Sequence, residues 1–255
     1  MPNTSDQDKQ QQWINTVSLA IEHEDLTPVS QLFNTLHASD CAHLIESTPP
    51  KERPQIWELL SADLRAEVLT HLNDEVRSIL LEGMDHKELA NAASQIEADD
   101  MADLLQDMSY SQTQQVLQSM DELNRQQVEE ILSYPEDSAG GLMNTDVIEI
   151  RSDIDLDVVL RYLRMLGTLP EGTDTLMVVD RDKTFLGILP ITTLLTQAPD
   201  SCVEEVMEKE CDVISAEMED TEVANLFESR DLISAPVLNM RGKLLGRITI
   251  DDVVD

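Results

Sequence analysis

Aromatic residues are nearly missing from this chain: three Phe, two Trp and three Tyr among 255 residues. The interior must therefore be aliphatic, with eleven methionines to fill irregular gaps. Bases are scarce too. Seventeen Lys and Arg face 51 Asp and Glu, a formal charge of −34. Such a surface repels nucleic acid and anionic lipid, which excludes both as direct partners, and it attracts cations. The charge leaves two readings open: a solvated surface that maintains solubility, or compaction conditional on a divalent ion.

Cysteine is limited to Cys41, Cys202 and Cys211, with no C-x-x-C pair. That excludes a disulfide framework and a zinc site and fits a reducing compartment. No apolar run approaches the roughly 18 residues of a membrane helix, and no signal peptide opens the chain. Phosphate-cradling glycine loops, a nucleophile elbow and Cys/His constellations are missing, so no catalytic site is expected and the chain is read as a non-enzyme. The "DIDLD" run at 153–157 is not a calcium loop, because Val158 stands where the glycine belongs and Arg164 where the closing glutamate belongs. Helix capping accounts for it.

What is present is rhythm. Every twelfth residue from Leu44 is apolar: Leu44, Ile56, Val68, Leu80, Ala92, Leu104, Val116 and Val128. The next position along is apolar from Ile45 to Leu117 and fails at Glu129. The fourth beyond the first is apolar from Leu60 to Leu132, with Thr48 the exception. Together 22 of these 24 positions are apolar, against a 41% background. The spacing i, i+1, i+4 marks one helix face. Twelve residues advance about 1200°, so a continuous helix would turn that face by about 120° per unit. The helix must break each time, and Pro49, Ser61, Asn73, Asp85, Ser109, Asp121 and Ser133 supply turn or cap chemistry. Glu97 is the weak member of that series. Helices this short are unstable alone and must stack into an α-superhelix. The first half, residues 1–133, is read as an interaction scaffold.

The second half repeats itself at a spacing of 59: Val178 matches Val237, Gly187 matches Gly246, and Thr193 matches Asp252. "DVI" at 146–148 recurs at 212–214. Each copy reads strand, helix, strand, glycine turn, strand, helix. Helices are expected near Asp155–Leu166 and Thr221–Ser229, and Leu176–Val179 is expected to pair with Phe185–Ile188. Copies of about 50 to 60 residues are small for independent cores, so they should pair.

This doubled pattern resembles the CBS-domain pair, with the first domain at 134–200 and the second at 201–255. The run from Pro236 to Asp252 carries the resemblance. Its paired aspartates have no counterpart in the first copy, which reads Leu189-Pro190-Ile191-Thr192-Thr193. The resemblance implies an adenine-nucleotide site, with ATP as a ligand, at Thr249 and Asp251. A superhelix, then "YPEDSAGGLM", then a CBS pair is similar to the cytoplasmic portion of the MgtE family of magnesium channels. At that junction Pro135 stops the last helix, and Gly140 and Gly141 turn the backbone where side chains would obstruct.

The expected fold class is thus α plus α/β: a superhelix of twelve-residue repeats, then tandem CBS domains, with the transmembrane domain expected to be absent and the chain expected to be soluble. The resemblance also implies a homodimer through the CBS domains, a pore domain as partner, and a place on the cytoplasmic face of the membrane. It carries Mg2+ onto Asp99 and Asp103 of "EADDMADLLQD", more weakly onto Glu67, and onto Glu219, Asp231, Asp252 and Asp255 of the second copy. The plain alternatives stand beside this: a solvated helix face with N-capping by Asp99, and acids favoured at a helix N-terminus for Asp251 and Asp252. Two other functions stay open, an adenine-nucleotide sensor with a partner-recruiting superhelix, and a structural scaffold resembling flagellar-motor superhelices.

Overall fold

Helix starts recur every twelve residues. The computed structural model describes residues 4–23, 25–93, 95–106, 108–170 and 172–254. After α1 (Thr4–Glu22) and α2 (Thr27–Phe33) come α3 (Ala38–Ser47), α4 (Arg53–Trp57), α5 (Ala62–Thr70) and α6 (Asp74–Gly83). They are followed by α7 (His86–Ala93), α8 (Ala98–Gln106), α9 (Tyr110–Ser119) and α10 (Glu122–Ile131). From α5 onward the interval between starts never departs from the repeat. The caps explain this. Ser61 accepts the Leu64 N–H, Asn73 the Val76 N–H, and Asp121 the Leu123 and Asn124 N–H groups. Asp85 and Glu88 cap each other reciprocally.

Two compact units divide the chain: Met1–Ile96 with Asp103–Arg125, and Glu97–Ala102 with Gln126–Asp255. In the first unit alternate helices pack, α3 on α5, α5 on α7 and α7 on α9. All eight residues of the Leu44-to-Val128 series are buried, whichever unit they belong to. Those of the third series are buried at Leu60 and Leu72 and half-buried from Met84 onward. Arginines fasten successive turns. Arg53 donates to the Thr48 and Glu46 carbonyls, and Arg65, twelve residues on, to the Leu60 and Glu58 carbonyls. Each satisfies carbonyls that a helix end leaves without an intrahelical donor.

The second unit holds two three-stranded sheets. In one, β1 (Glu149–Arg151) lies parallel to β2 (Thr175–Val179), which pairs antiparallel with β3 (Phe185–Pro190). In the other, β4 (Ile214–Ser215), β5 (Ser234–Leu238) and β6 (Leu244–Thr249) repeat the order. The helices are α11 (Ala139–Leu142), α12 (Leu156–Leu166), α13 (Ile191–Thr196), α14 (Val203–Val206), α15 (Asp220–Arg230) and α16 (Ile250–Val254). One expectation needs correcting. Ile150 pairs with Val178 and Ile214 with Val237, so Ile150, not Ile148 of "DVI", is the counterpart of Ile214. The two-residue slip keeps the same face inward, and Ile148 and Ile150 are both buried.

The segments entering the two sheets are exchanged. Residues before the first copy dock on the second: Ala139 and Gly140 donate to the Met218 and Ala216 carbonyls, and Asn144 exchanges both backbone bonds with Arg247 of β6. Residues between the copies dock on the first: Glu208 exchanges both bonds with Ile188 of β3, and Val203 joins the first sheet's core. Close approach explains the paired glycines at the junction. A Cβ on Gly140 would meet the Tyr134 ring at 2.3 Å, and one on Gly141 the Pro135 carbonyl oxygen at 2.6 Å. No helix among the described residues is long and apolar enough to cross a membrane.

Candidate metal centre

The first turn of α8 brings its acids into the unit that contains the second sheet. Asp99 is 92% buried there, and its Oδ1 has no hydrogen-bond partner. Burial first, then the charges of Asp252, Asp100 and Glu97, push its carboxyl up to about 8. Glu97 rises to about 7, through desolvation and then Asp100, with Arg247 opposing and Asp252 and Asp146 adding. Asp252 is raised by burial, against the bonds it accepts from Thr249. Asp99 is thus held out of water beside more exposed carboxylates that repel it.

Three residues fix this arrangement. Asn144 donates its side-chain amide to Glu97, and its Oδ1 accepts the Asp146 N–H at 2.7 Å. Its backbone is locked to Arg247, which is 3% exposed and donates to the Gly172 carbonyl at 3.1 Å. Thr249 lies two residues further along β6, hence on the same face. Its N–H donates to Asp252 at 2.7 Å, and its hydroxyl donates to Asp251 and Asp252. A second buried oxygen nearby in sequence, Thr145 Oγ1, also has no partner.

Among the expected site residues, then, Asp99, Asp252, Thr249 and Asp251 fall in one neighbourhood. The others belong to the first unit, have separate local roles or are not described. Asp103 is exposed on α8 and Glu67 is exposed on α5, both counted with the first unit. Glu219 is the N-cap residue of α15, and Asp231 ends that helix in a left-handed conformation. Asp255 lies outside the described residues, as does Asp107, the last residue of "EADDMADLLQD". Sequence reasoning missed Asn144 and Arg247 and treated Glu97 only as a poor cap. That irregularity was the available signal: where its repeat neighbours cap with Ser, Asn or Asp, Glu97 reaches across to Asn144.

The donors are all oxygens, the set that suits Mg2+ rather than soft metals. Among the described residues, no three His, Cys, Asp or Glu side chains converge on one metal position. An ion held by one or two carboxylates and its own waters would suit such a donor set, and the orphaned Asp99 oxygen is the candidate ligand.

Comparison with known proteins agrees with the fold. The MgtE intracellular N domain matches residues 36–137, and the CBS domain matches residues 203–255. The magnesium transporter MgtE of Thermus thermophilus is 30% identical over 241 residues, covering 92% of this chain and 53% of that protein. Its namesake in Bacillus subtilis is 25% identical over 224 residues, covering 88% and 50%. The chain thus spans about half the length of these relatives. Among solved structures, the cytosolic domain of the Mg2+ channel MgtE in complex with ATP superposes with a TM-score of 0.86 at 28% identity, covering 95% of this chain and 99% of that one. The soluble part of a magnesium transporter shares the fold, with a TM-score of 0.80 at 20% identity over 96% and 97%.

Proposed function

We propose, for a chain built as the cytosolic portion of an MgtE-family protein, that it senses Mg2+ and through it regulates a transport pore. One observation carries this reading: a buried carboxylate, Asp99, with an unbonded oxygen, set among the charges of Glu97, Asp100 and Asp252. Two carboxylates about 4 Å apart repel by roughly 4 kcal/mol at an effective dielectric near 20. A divalent cation removes that repulsion, so it binds the arrangement that gathers acids better than the one that separates them. Asp99 and Asp252 would hold the ion, directly or through water. Asp103, Glu67, Glu219, Asp231 and Asp255 extend the acidic faces that the ion draws together. High Mg2+ then favours a compact state that closes the pore, and low Mg2+ lets repulsion separate the helical repeat from the CBS pair.

The place of action is the cytoplasmic face of the membrane, and the working unit is a homodimer through the CBS domains. An exposed apolar stripe supports self-association. Val158, Tyr162, Met165 and Leu166 on α12, with Leu169 just beyond, follow helical spacing and face solvent. ATP is a second ligand in this reading, because a similar cytosolic domain was solved with it. Thr249 and Asp251 of the second copy would receive it. A thermal shift with ATP in the absence of Mg2+ checks that part.

The main test is small-angle scattering during an Mg2+ titration, with sodium chloride matched for ionic strength. A saturable fall in radius under Mg2+ alone is expected, and Asp99→Asn with Asp252→Asn should remove it. Equal shrinkage in both salts would reduce the acids to a generic solvated surface.

A further inference from the structure

A buried arginine whose neighbours hold two of the acids is the feature the ion-sensing reading leaves unexplained. Arg247 sits on β6 opposite Pro236, at a strand position whose counterpart in the first sheet is Ile188. Burying an arginine is unfavourable unless charges and acceptors compensate it. Here one guanidinium bond is seen directly, and the residues beside Arg247 tether two of the acids. The Gly172 carbonyl accepts from Nη1. The Asn144 backbone exchanges two bonds with Arg247 while its side chain holds Glu97. Thr249, on the same strand face, holds Asp252. The charge of Arg247 opposes the elevation of both Glu97 and Asp252.

We infer that Arg247 is a resident cation that sets the strength of this divalent site, standing among the same carboxylates the ion must reach. The inference rests on the Mg2+-sensing reading. An arginine cannot be deprotonated in a protein, so its charge is permanent. Without a divalent ion, the guanidinium lessens the repulsion among the carboxylates but does not remove it. When Mg2+ arrives, the same charge repels it, which weakens binding. A site built this way responds at higher Mg2+ than a purely acidic one and tolerates the ion-free state better.

Calorimetric titration of the full chain with MgCl2, at matched ionic strength, tests this. Arg247→Met should tighten Mg2+ binding by about tenfold or more, because a neighbouring positive charge is removed from the field of a divalent ion. Arg247→Lys should stay within about threefold of the parent chain, since it keeps the charge. Adding Glu97→Gln to Arg247→Met should reverse most of the gain, a coupling that a general packing defect would not produce. Unchanged or weaker binding by Arg247→Met overturns the inference while leaving the sensor reading intact. Absence of saturable Mg2+ binding in the parent chain overturns both. Where Arg247→Met fails to fold, Arg247→Gln, which keeps a donor for Gly172, replaces it. If neither neutral variant folds but Arg247→Lys does, the charge serves the fold itself, and its role in setting ion affinity is overturned.

Discussion

Offset by 59 residues, Ile188, Pro190, Thr192 and Thr193 of the first CBS copy hold the places of Arg247, Thr249, Asp251 and Asp252 in the second. The backbones around these residues agree closely. Each sheet has the same strand order, each hairpin shifts register at the equivalent point, and each ends in a short helix. The chemistry does not agree. Pro190 has no N–H to give and caps α13 with no side-chain bond, whereas Thr249 binds two carboxylates. Alternation of apolar residues and the glycine of each hairpin build the fold twice. Four substitutions decide which copy carries charge.

The largest effect should come where the copies are alike. Gly187 and Gly246 occupy matching places, and a Cβ would stand 2.3 Å from the Glu208 carbonyl oxygen in one and 2.5 Å from that of Asn144 in the other. Neither backbone can retreat without releasing an exchanged arm. Gly187→Ala and Gly246→Ala should each destabilise the second unit by about 3 kcal/mol or more in urea melts, Gly187→Ala the more because its φ is +153°. A tolerated Gly246→Ala would show that its arm is loosely held.

Next in size is a change that makes the second copy read like the first. Thr249→Pro with Asp251→Thr and Asp252→Thr should leave the fold intact, since the first copy already accepts those residues, and should weaken Mg2+ binding about a hundredfold, or about 2.7 kcal/mol. Calorimetry beside a circular dichroism melt separates the two outcomes. Binding that survives would move the ion to the acids of the helical repeat alone.

The smallest effect is on pH. The carboxyls of Asp99 and Glu97 stand near 8 and 7 when folded, from ordinary values of 3.8 and 4.5. The folded chain therefore binds more protons than the unfolded chain between about pH 4 and 8, and stability falls as pH rises through that window. In EDTA the melting temperature should drop by about 5 °C between pH 5 and 8.5. Asp99→Asn should flatten the slope, and Mg2+ should restore the lost stability at the alkaline end. The first copy lacks this acid set, so a slope unchanged by Asp99→Asn would place its source elsewhere.

The helical repeat was legible because it depends on local rules. Apolar spacing chose the buried face, and Ser61, Asn73, Asp85 and Asp121 marked the helix starts through bonds spanning only two or three residues. The strands were legible too, apart from the two-residue slip at Ile148, where two inward residues look alike to a period of two. Asp99 and Asp252 were reached through the family resemblance rather than through their spacing. Asn144 and Arg247 gave no local signal. Asn144 meets Glu97 across 47 residues, and Arg247 meets Gly172 across 75. An arginine inside β6 reads as an outward residue until its neighbours are known.

The exchanged arms also impose an order on synthesis. The segment at 138–144 leaves the ribosome about a hundred residues before β6, the strand it must pair with, or about 5–20 s at ordinary elongation rates. The first sheet receives its arm at 203–208 soon after its own hairpin, so it closes first. Glu97 and Asn144 are both made early, yet they wait on Arg247 and Asp252 to complete the charge cluster. A nascent chain therefore cannot assemble that cluster until β6 and α16 have emerged, and the proposed ion response has to wait on the fold around it.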